Sequence, residues 1–195
     1  MKILLIIILS YLIGCFSSAY ILGKASKNID IRKHGSGNLG TTNALRVLGR
    51  KAGALTLLMD VAKGIIAFLL AKAIMGLQGG YIASIFVVLG HNFPVFLKFK
   101  GGKGVATSLG VLFMLNWKLG LFSFILGVAI IIISKYVSLG SLTASVVAPL
   151  STFLPFFPDD RNLRYTIWFL GVLSIIRHRA NIVRLYKGVE NKIKI

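Results

Sequence analysis

Three short segments of this 195-residue chain concentrate residue types that recognise phosphate. The first is His34-Gly35-Ser36-Gly37-Asn38-Leu39-Gly40-Thr41-Thr42-Asn43-Ala44-Leu45-Arg46. Glycine lets the backbone approach an anion, and successive N–H groups form a nest for it. Ser36, Asn38, Thr41, Thr42 and Asn43 add neutral hydrogen-bonding groups, and Arg46 adds a bidentate fork suited to phosphate. Gly35, Gly37 and Gly40 also spell G-x-G-x-x-G, with Asp60 about twenty residues on. A dinucleotide fold needs a buried strand before that motif, and Ile29 to His34 does not read as one. The alternative is a flexible loop whose Thr or Asn caps the next helix.

The second segment runs from Gly90-His91-Asn92-Phe93-Pro94 to Phe99-Lys100-Gly101-Gly102-Lys103-Gly104-Val105-Ala106-Thr107. It departs from a Walker A loop, because Leu97 stands at the first glycine and Gly104 replaces the magnesium-holding Ser or Thr. A glycine loop with a lysine at a helix start still suits a phosphate; the alternative is a basic interfacial turn. His91 reads equally as part of this site or as a core histidine bonded to backbone. The third segment is Arg177-His178-Arg179-Ala180-Asn181-Ile182-Val183-Arg184-Leu185, followed by Gly188 and Glu190. His178, Asn181 and Arg184 or Leu185 share a helical face, though an amphipathic interfacial tail has the same pattern. Ser138, Gly140 and Ser141 can add hydroxyl and N–H donors. Asp60 and Lys63, at i and i+3, can form an ion pair that is either functional or structural.

Other chemistries lack their residues. No serine sits in G-x-S-x-G. The lone Cys15 excludes an intrachain disulfide and reads as a packed thiol in a helix. No His/Cys cluster has metal-ligand spacing, and with five acids, carboxylate-held magnesium is not expected. Neither metal nor cofactor is therefore expected. The H-x-x-x-x-D box of glycerolipid acyltransferases fails at every histidine, since Leu39, Phe96 and Val183 stand five positions after His34, His91 and His178.

The elements that must position these segments are apolar. Mean hydropathy is +0.82 and only 14% of residues are charged, against about a quarter in a soluble domain. The apolar residues fall in long runs, so the bilayer is the main solvent. Polar density such as that of 34–46 is expensive beside such a core without a task. Seven spans are expected, near 3–23, 52–75, 81–98, 104–117, 119–135, 137–157 and 163–178. Spans four and five are short, and a re-entrant hairpin there is the alternative. Leu12-Ile13-Gly14-Cys15 resembles a lipoprotein cleavage box, but cleavage would export the basic segment that follows. The first segment is therefore read as a retained span.

Lysine and arginine set the sidedness. Seven lie in 24–51, three in 98–103, one at Lys135 and six in 177–194. The opposite side holds only Lys2, Lys72, Lys118, Arg161 and Arg164, with Asp159 and Asp160 beside the last two. The reading is an all-α integral membrane protein, 1–195 forming a single transmembrane domain, with N-terminus outside and C-terminus cytoplasmic. Spans two, four and six then start at the cytoplasmic face, with their positive dipole ends there. Net charge of +18 is ascribed to topology and anionic lipid, with no nucleic-acid partner.

The three segments, in this order, resemble the bacterial acyl-phosphate-dependent glycerol-3-phosphate acyltransferases of the PlsY family. Asp60…Lys63-Gly64 and Tyr136-Val137-Ser138-Leu139…Ser141 look like its further patterns, and the resemblance covers essentially the whole chain. It implies a seven-helix enzyme of the bacterial cytoplasmic membrane that works at its cytoplasmic face. Its substrates would be acyl phosphate and glycerol 3-phosphate, its products lysophosphatidic acid and phosphate. The enzyme that makes acyl phosphate is a candidate partner. On this footing Ser36, Gly37, Asn38, Gly40, Thr41, Thr42, Asn43, Arg46, Gly101, Gly102, Lys103, Gly104, Ser141, His178 and Asn181 are expected to bind substrate. Ser36, His178 and Asn181 are expected to serve catalysis, and the base is either His178 or the donor phosphate.

Overall fold

A computed structural model describes residues 1–157 and 160–193. Asp159 and Lys194, counted in the charge balance, lie outside the described residues. All regular structure among the described residues is helical. The helices are α1 (Lys2–Cys15), α2 (Ser18–Lys27), α3 (Thr41–Leu48), α4 (Arg50–Asn92), α5 (Val105–Leu115), α6 (Trp117–Ser134), α7 (Val137–Ser151), α8 (Arg161–Arg177) and α9 (Arg179–Tyr186). The chain forms two compact units, Met1–Met114 and Leu115–Ile195.

In the first unit α1, α2 and α3 all pack on α4. That helix is really two. Met75 (φ −143°, ψ 24°) and Gly76 (φ 62°, ψ −157°) leave helical geometry, and glycine is the residue that tolerates this positive φ. Beyond the break, Gly79 lies against the Ala71 carbonyl and Gly80 against the Phe68 ring. Twelve residues of straight helix would separate Phe68 from Gly80 by about 18 Å, so the two halves form a hairpin. The halves correspond to the expected spans 52–75 and 81–98, with the second ending earlier, at Asn92. Ile6, Ala71 and Ala83 form the apolar core at this end.

Two features differ from the expected organisation. The first span is not one rod: its helix stops at Cys15 and restarts at Ser18, with Phe16 extended between them (ψ 114°). Loop 34–46 does not lead straight into span two either. A separate short helix, α3, intervenes, and Gly49 (φ 94°) divides it from α4. Arg46 therefore sits on α3 rather than at the start of span two. Its helix is amphipathic and buries Asn43 and Ala44, a pattern too short to stand out beside the long apolar runs.

In the second unit α7 packs between α6 and α8. Asn116 caps α6, its side chain accepting from Leu119 N at 3.0 Å. Asp160 caps α8 by accepting from Asn162 N and Leu163 N. The hydroxyls of Ser145 and Ser174 meet at 2.7 Å and join α7 to α8, a neutral link of the kind used between helices in lipid. Helix α7 ends at Ser151 rather than near 157, because turns and Pro155 follow.

Among the described residues, three helical runs are long and apolar enough to cross a bilayer by length and composition: Lys2–Lys27, Arg50–Leu97 and Trp117–Ser134. Large apolar side chains such as Leu4, Leu58, Ile66, Ile125 and Ile133 are exposed on them. In water that surface would be a liability; against lipid it is the solvated face.

Candidate functional site

The first glycine loop is folded by one of its own side chains. Asn43, on α3, is buried. Its Oδ1 accepts from Ser36 N at 2.9 Å, and its Nδ2 donates to the carbonyls of Asn38 (3.0 Å), His34 (3.1 Å) and Ile31 (3.4 Å). Asparagine offers both an acceptor and two donors, so it can close a loop whose backbone groups face inward. The Thr41 hydroxyl is buried without a hydrogen-bond partner, while Thr42, Asn38, Gly37 and Gly40 are half-buried. Ser36 and Arg46 remain exposed.

An ion pair holds the approach to this loop. Asp30 Oδ2 meets Arg32 Nη2 at 2.7 Å, and Arg32 Nη1 donates to the Leu97 carbonyl at 3.2 Å. The hydrogen bonds from Arg32 pull the Asp30 carboxyl down to about 2, against a smaller opposing push from burial.

The second loop is folded by contacts from outside it. Gly102 N donates to the His91 carbonyl at 3.1 Å. A Cβ on Gly102 would overlap the His91 ring, and one on Gly101 would overlap the carbonyl oxygens of His91 and Asn92. The side chain of Asn92 lies against Gly104 (φ 82°). Gly101, Gly102 and Gly104 are buried, and Lys103 is half-buried between them. Leu97, leading into this loop, shares an apolar cluster with Ala19, Ile31, Leu39 and Ala44. The two loops therefore rest on one hydrophobic base and are joined by Arg32.

In the second unit the third segment is organised around Glu190. Its Oε1 accepts from Asn181 Nδ2 (2.8 Å) and Ser138 Oγ (3.1 Å), and its Oε2 accepts from Arg184 Nε (2.7 Å). Burial pushes the Glu190 carboxyl up, but the hydrogen bonds from Arg184, Asn181 and Ser138 outweigh it and hold it below its ordinary value. The tail is tied back further by Ile193 N, which donates to the Lys135 carbonyl at 2.8 Å. His178 is buried at the junction of α8 and α9. Its Nδ1 lies 2.8 Å from the Ser174 carbonyl. A carbonyl only accepts, so Nδ1 carries the proton and the lone pair of the neutral ring lies on Nε2. The Ser141 hydroxyl donates to the Val137 carbonyl of its own helix at 2.9 Å.

A sequence profile described as glycerol-3-phosphate acyltransferase matches residues 4–188. A curated glycerol-3-phosphate acyltransferase of Alkaliphilus metalliredigens is 51% identical over 192 residues, covering 97% of this chain and 95% of the relative. The chain belongs to the glycerol-3-phosphate acyltransferase family. Crystal structures of PlsY, an integral membrane glycerol 3-phosphate acyltransferase, agree with its fold. The glycerol 3-phosphate form is 40% identical with a TM-score of 0.91. The lysophosphatidic acid form is 39% identical with a TM-score of 0.88. Both cover 100% of this chain and 96% of PlsY. The all-helical, integral-membrane reading thus holds for this family member.

Several structural partners of the site went unread in the sequence. Arg32, which donates to the Leu97 carbonyl, and Ser18, which donates to Asp60, each act through a contact distant in sequence, and neither carried a local signal. Glu190 did carry one: it is the sole glutamate of the chain.

Proposed function

We propose that this chain transfers a fatty acyl group from acyl phosphate to the 1-hydroxyl of sn-glycerol 3-phosphate. The products are lysophosphatidic acid and inorganic phosphate, and the whole chain, 1–195, acts as one transferase domain. The observation that carries this reading is the pair of glycine loops on a common base, each with a cation, Arg46 or Lys103. Two phosphate-type sites suit a reaction between two phosphorylated molecules. The family supports glycerol 3-phosphate as acceptor and lysophosphatidic acid as product, as in the two forms of PlsY.

The acceptor hydroxyl oxygen attacks the acyl carbonyl carbon, and the carbon–oxygen bond to phosphate breaks. The acyl phosphate is a mixed anhydride, so its leaving group needs no further activation. Catalysis rests on positioning and charge stabilisation. Ser36 and the backbone of 36–42 hold the donor phosphate, with Thr41, Thr42 and Asn43 shaping that loop. Arg46 and Lys103 neutralise phosphate charge, Lys103 within the cradle of Gly101, Gly102 and Gly104. His178, Asn181 and Ser141 orient the glycerol. The proton leaves to the departing phosphate or to Nε2 of His178. The enzyme lies in the bacterial cytoplasmic membrane with N-terminus outside, C-terminus inside and the phosphate loops facing the cytoplasm. The acyl-phosphate-forming enzyme is its natural supplier.

The deciding assay supplies acyl phosphate and glycerol 3-phosphate in EDTA, with acyl-CoA as the alternative donor. Activity with acyl phosphate alone is expected; activity only with acyl-CoA, or only with added metal, would overturn the reading. Folded Arg46→Ala and Lys103→Ala should each lose most of the rate. Survival of the rate in His178→Asn would assign the base to the donor phosphate.

A further inference from the structure

Beneath the second loop lies a buried charge network that the proposed chemistry does not use. Asp60, Lys63 and His91 are 1%, 4% and 7% exposed. Asp60 Oδ1 accepts from Lys63 Nζ at 2.8 Å and from Ser18 Oγ at 3.0 Å. Lys63 Nζ also donates to the Phe16 carbonyl at 2.8 Å and lies 2.7 Å from His91 Nδ1. Those three partners use the three protons of an ammonium. The His91 ring then accepts on Nδ1 and carries its own proton on Nε2, the edge that faces Gly102. Four parts of the first unit meet here: the break between α1 and α2, the first half of α4, the end of its second half, and the glycine loop.

Burying an ion pair is weak evidence for stability, because desolvation offsets the attraction. An apolar cluster of similar volume would hold these helices as well. What an apolar cluster would lack is a directed contact to Nδ1, which sets both the tautomer and the tilt of the ring. The ring is in turn the surface on which Gly102 lies, one residue before Lys103.

We infer that Lys63, oriented by Asp60 and Ser18, is a positioning residue for the phosphate loop, acting through the His91 ring to set where Lys103 sits. The inference rests on the proposed phosphate role of that loop. It assigns Asp60, Lys63 and His91 to acceptor binding rather than to proton transfer.

The test separates positioning from stability. The double variant Asp60→Asn/Lys63→Met removes both charges together, so no lone ion is left buried. It should fold with near-native thermal stability yet raise KM for glycerol 3-phosphate at least tenfold. KM for acyl phosphate should stay within about twofold and kcat within about threefold. His91→Asn leaves the ion pair intact and places an oxygen near Nδ1 but removes the ring under Gly102; it should show the same split, and it decides the question if the double variant does not fold. Lys103→Ala is measured alongside. A raised acceptor KM in Lys103→Ala with wild-type constants in folded His91→Asn overturns the inference alone. An unchanged KM in Lys103→Ala overturns the phosphate reading of the loop and the inference with it. Equal losses in both KM values and kcat would reduce the network to a structural role.

Discussion

The two glycine loops of the first unit reach similar ends by opposite means. Loop 34–46 is organised from within, by Asn43 bonding to Ile31, His34, Ser36 and Asn38, all within twelve residues of it. Loop 98–104 is organised from below, by the ring and carbonyls of the His91–Asn92 helix end, which the Asp60–Lys63 pair orients from about thirty residues upstream. The Asn43 bonds close the first loop locally, while its Leu39 and Ala44 rest on the base shared with Leu97. A loop laid on a helix end holds its shape only while the helices beneath it hold theirs. On the function proposed above, the first loop would take the bulky lipid donor and the second would hold the small soluble acceptor at one distance.

The sharpest attack on this contrast is Gly102→Ala. The added carbon would overlap the His91 ring, so the loop must lift from its floor. We expect at least a hundredfold fall in kcat/KM for glycerol 3-phosphate, read in steady-state assays of folded enzyme. A fall below threefold would mean the floor does not set the loop.

Asn43→Asp strikes the first loop in the corresponding way. It turns a donor into a charged acceptor facing three carbonyls, a change that costs roughly 2–4 kcal/mol for a buried group. Amide exchange should rise across 31–46 while 98–104 keeps its protection, and activity should fall at least tenfold. Equal rises in both segments would show that the loops open as one unit and would dissolve the contrast.

Glu190→Gln asks whether the second unit follows the first pattern or the second. It keeps the shape of the clamp but removes the charge that Arg184 and Asn181 share. The expected loss is about 1.5–3 kcal/mol of stability, the range for charge-assisted bonds, with about tenfold lower kcat through a misplaced Asn181. Because folding lowers the Glu190 pKa, its contribution is present above the ordinary carboxylate range and fades as pH falls through the lowered value. Thermal melts of wild type should therefore lose stability on acidification more steeply than those of the variant.

Asp30→Asn should have the smallest effect. The Asp30–Arg32 pair is partly exposed, and such pairs contribute about 0–1 kcal/mol. Activity should stay within about threefold. The carboxyl is held at about 2 in the folded protein, so its stabilisation is complete at neutral pH and is lost as pH falls toward that value. A loss above tenfold would show that the Arg32 link to Leu97 couples the two loops more tightly than their separate means of closure suggest.

Composition and the long apolar runs determined an all-helical membrane protein, and the order of the three polar segments determined the family. Local spacing also placed Lys103 in a glycine loop at a helix start, whereas Arg46 fell in the last turn of the short helix α3. Those features are read along the chain, because hydropathy depends on runs and glycine loops on adjacent residues. Tertiary structure alone decided the rest. At the break after α1, the Phe16 carbonyl finds its partner in a lysine 47 positions later. That the buried His91 ring lies between Lys63 and Gly102 depends on a helix end meeting a glycine turn. That Glu190 gathers Asn181, Arg184 and Ser138 depends on the tail folding back to the start of α7. In each case a polar group shielded from water must find a partner, and which partner lies within reach is settled only when the helices pack.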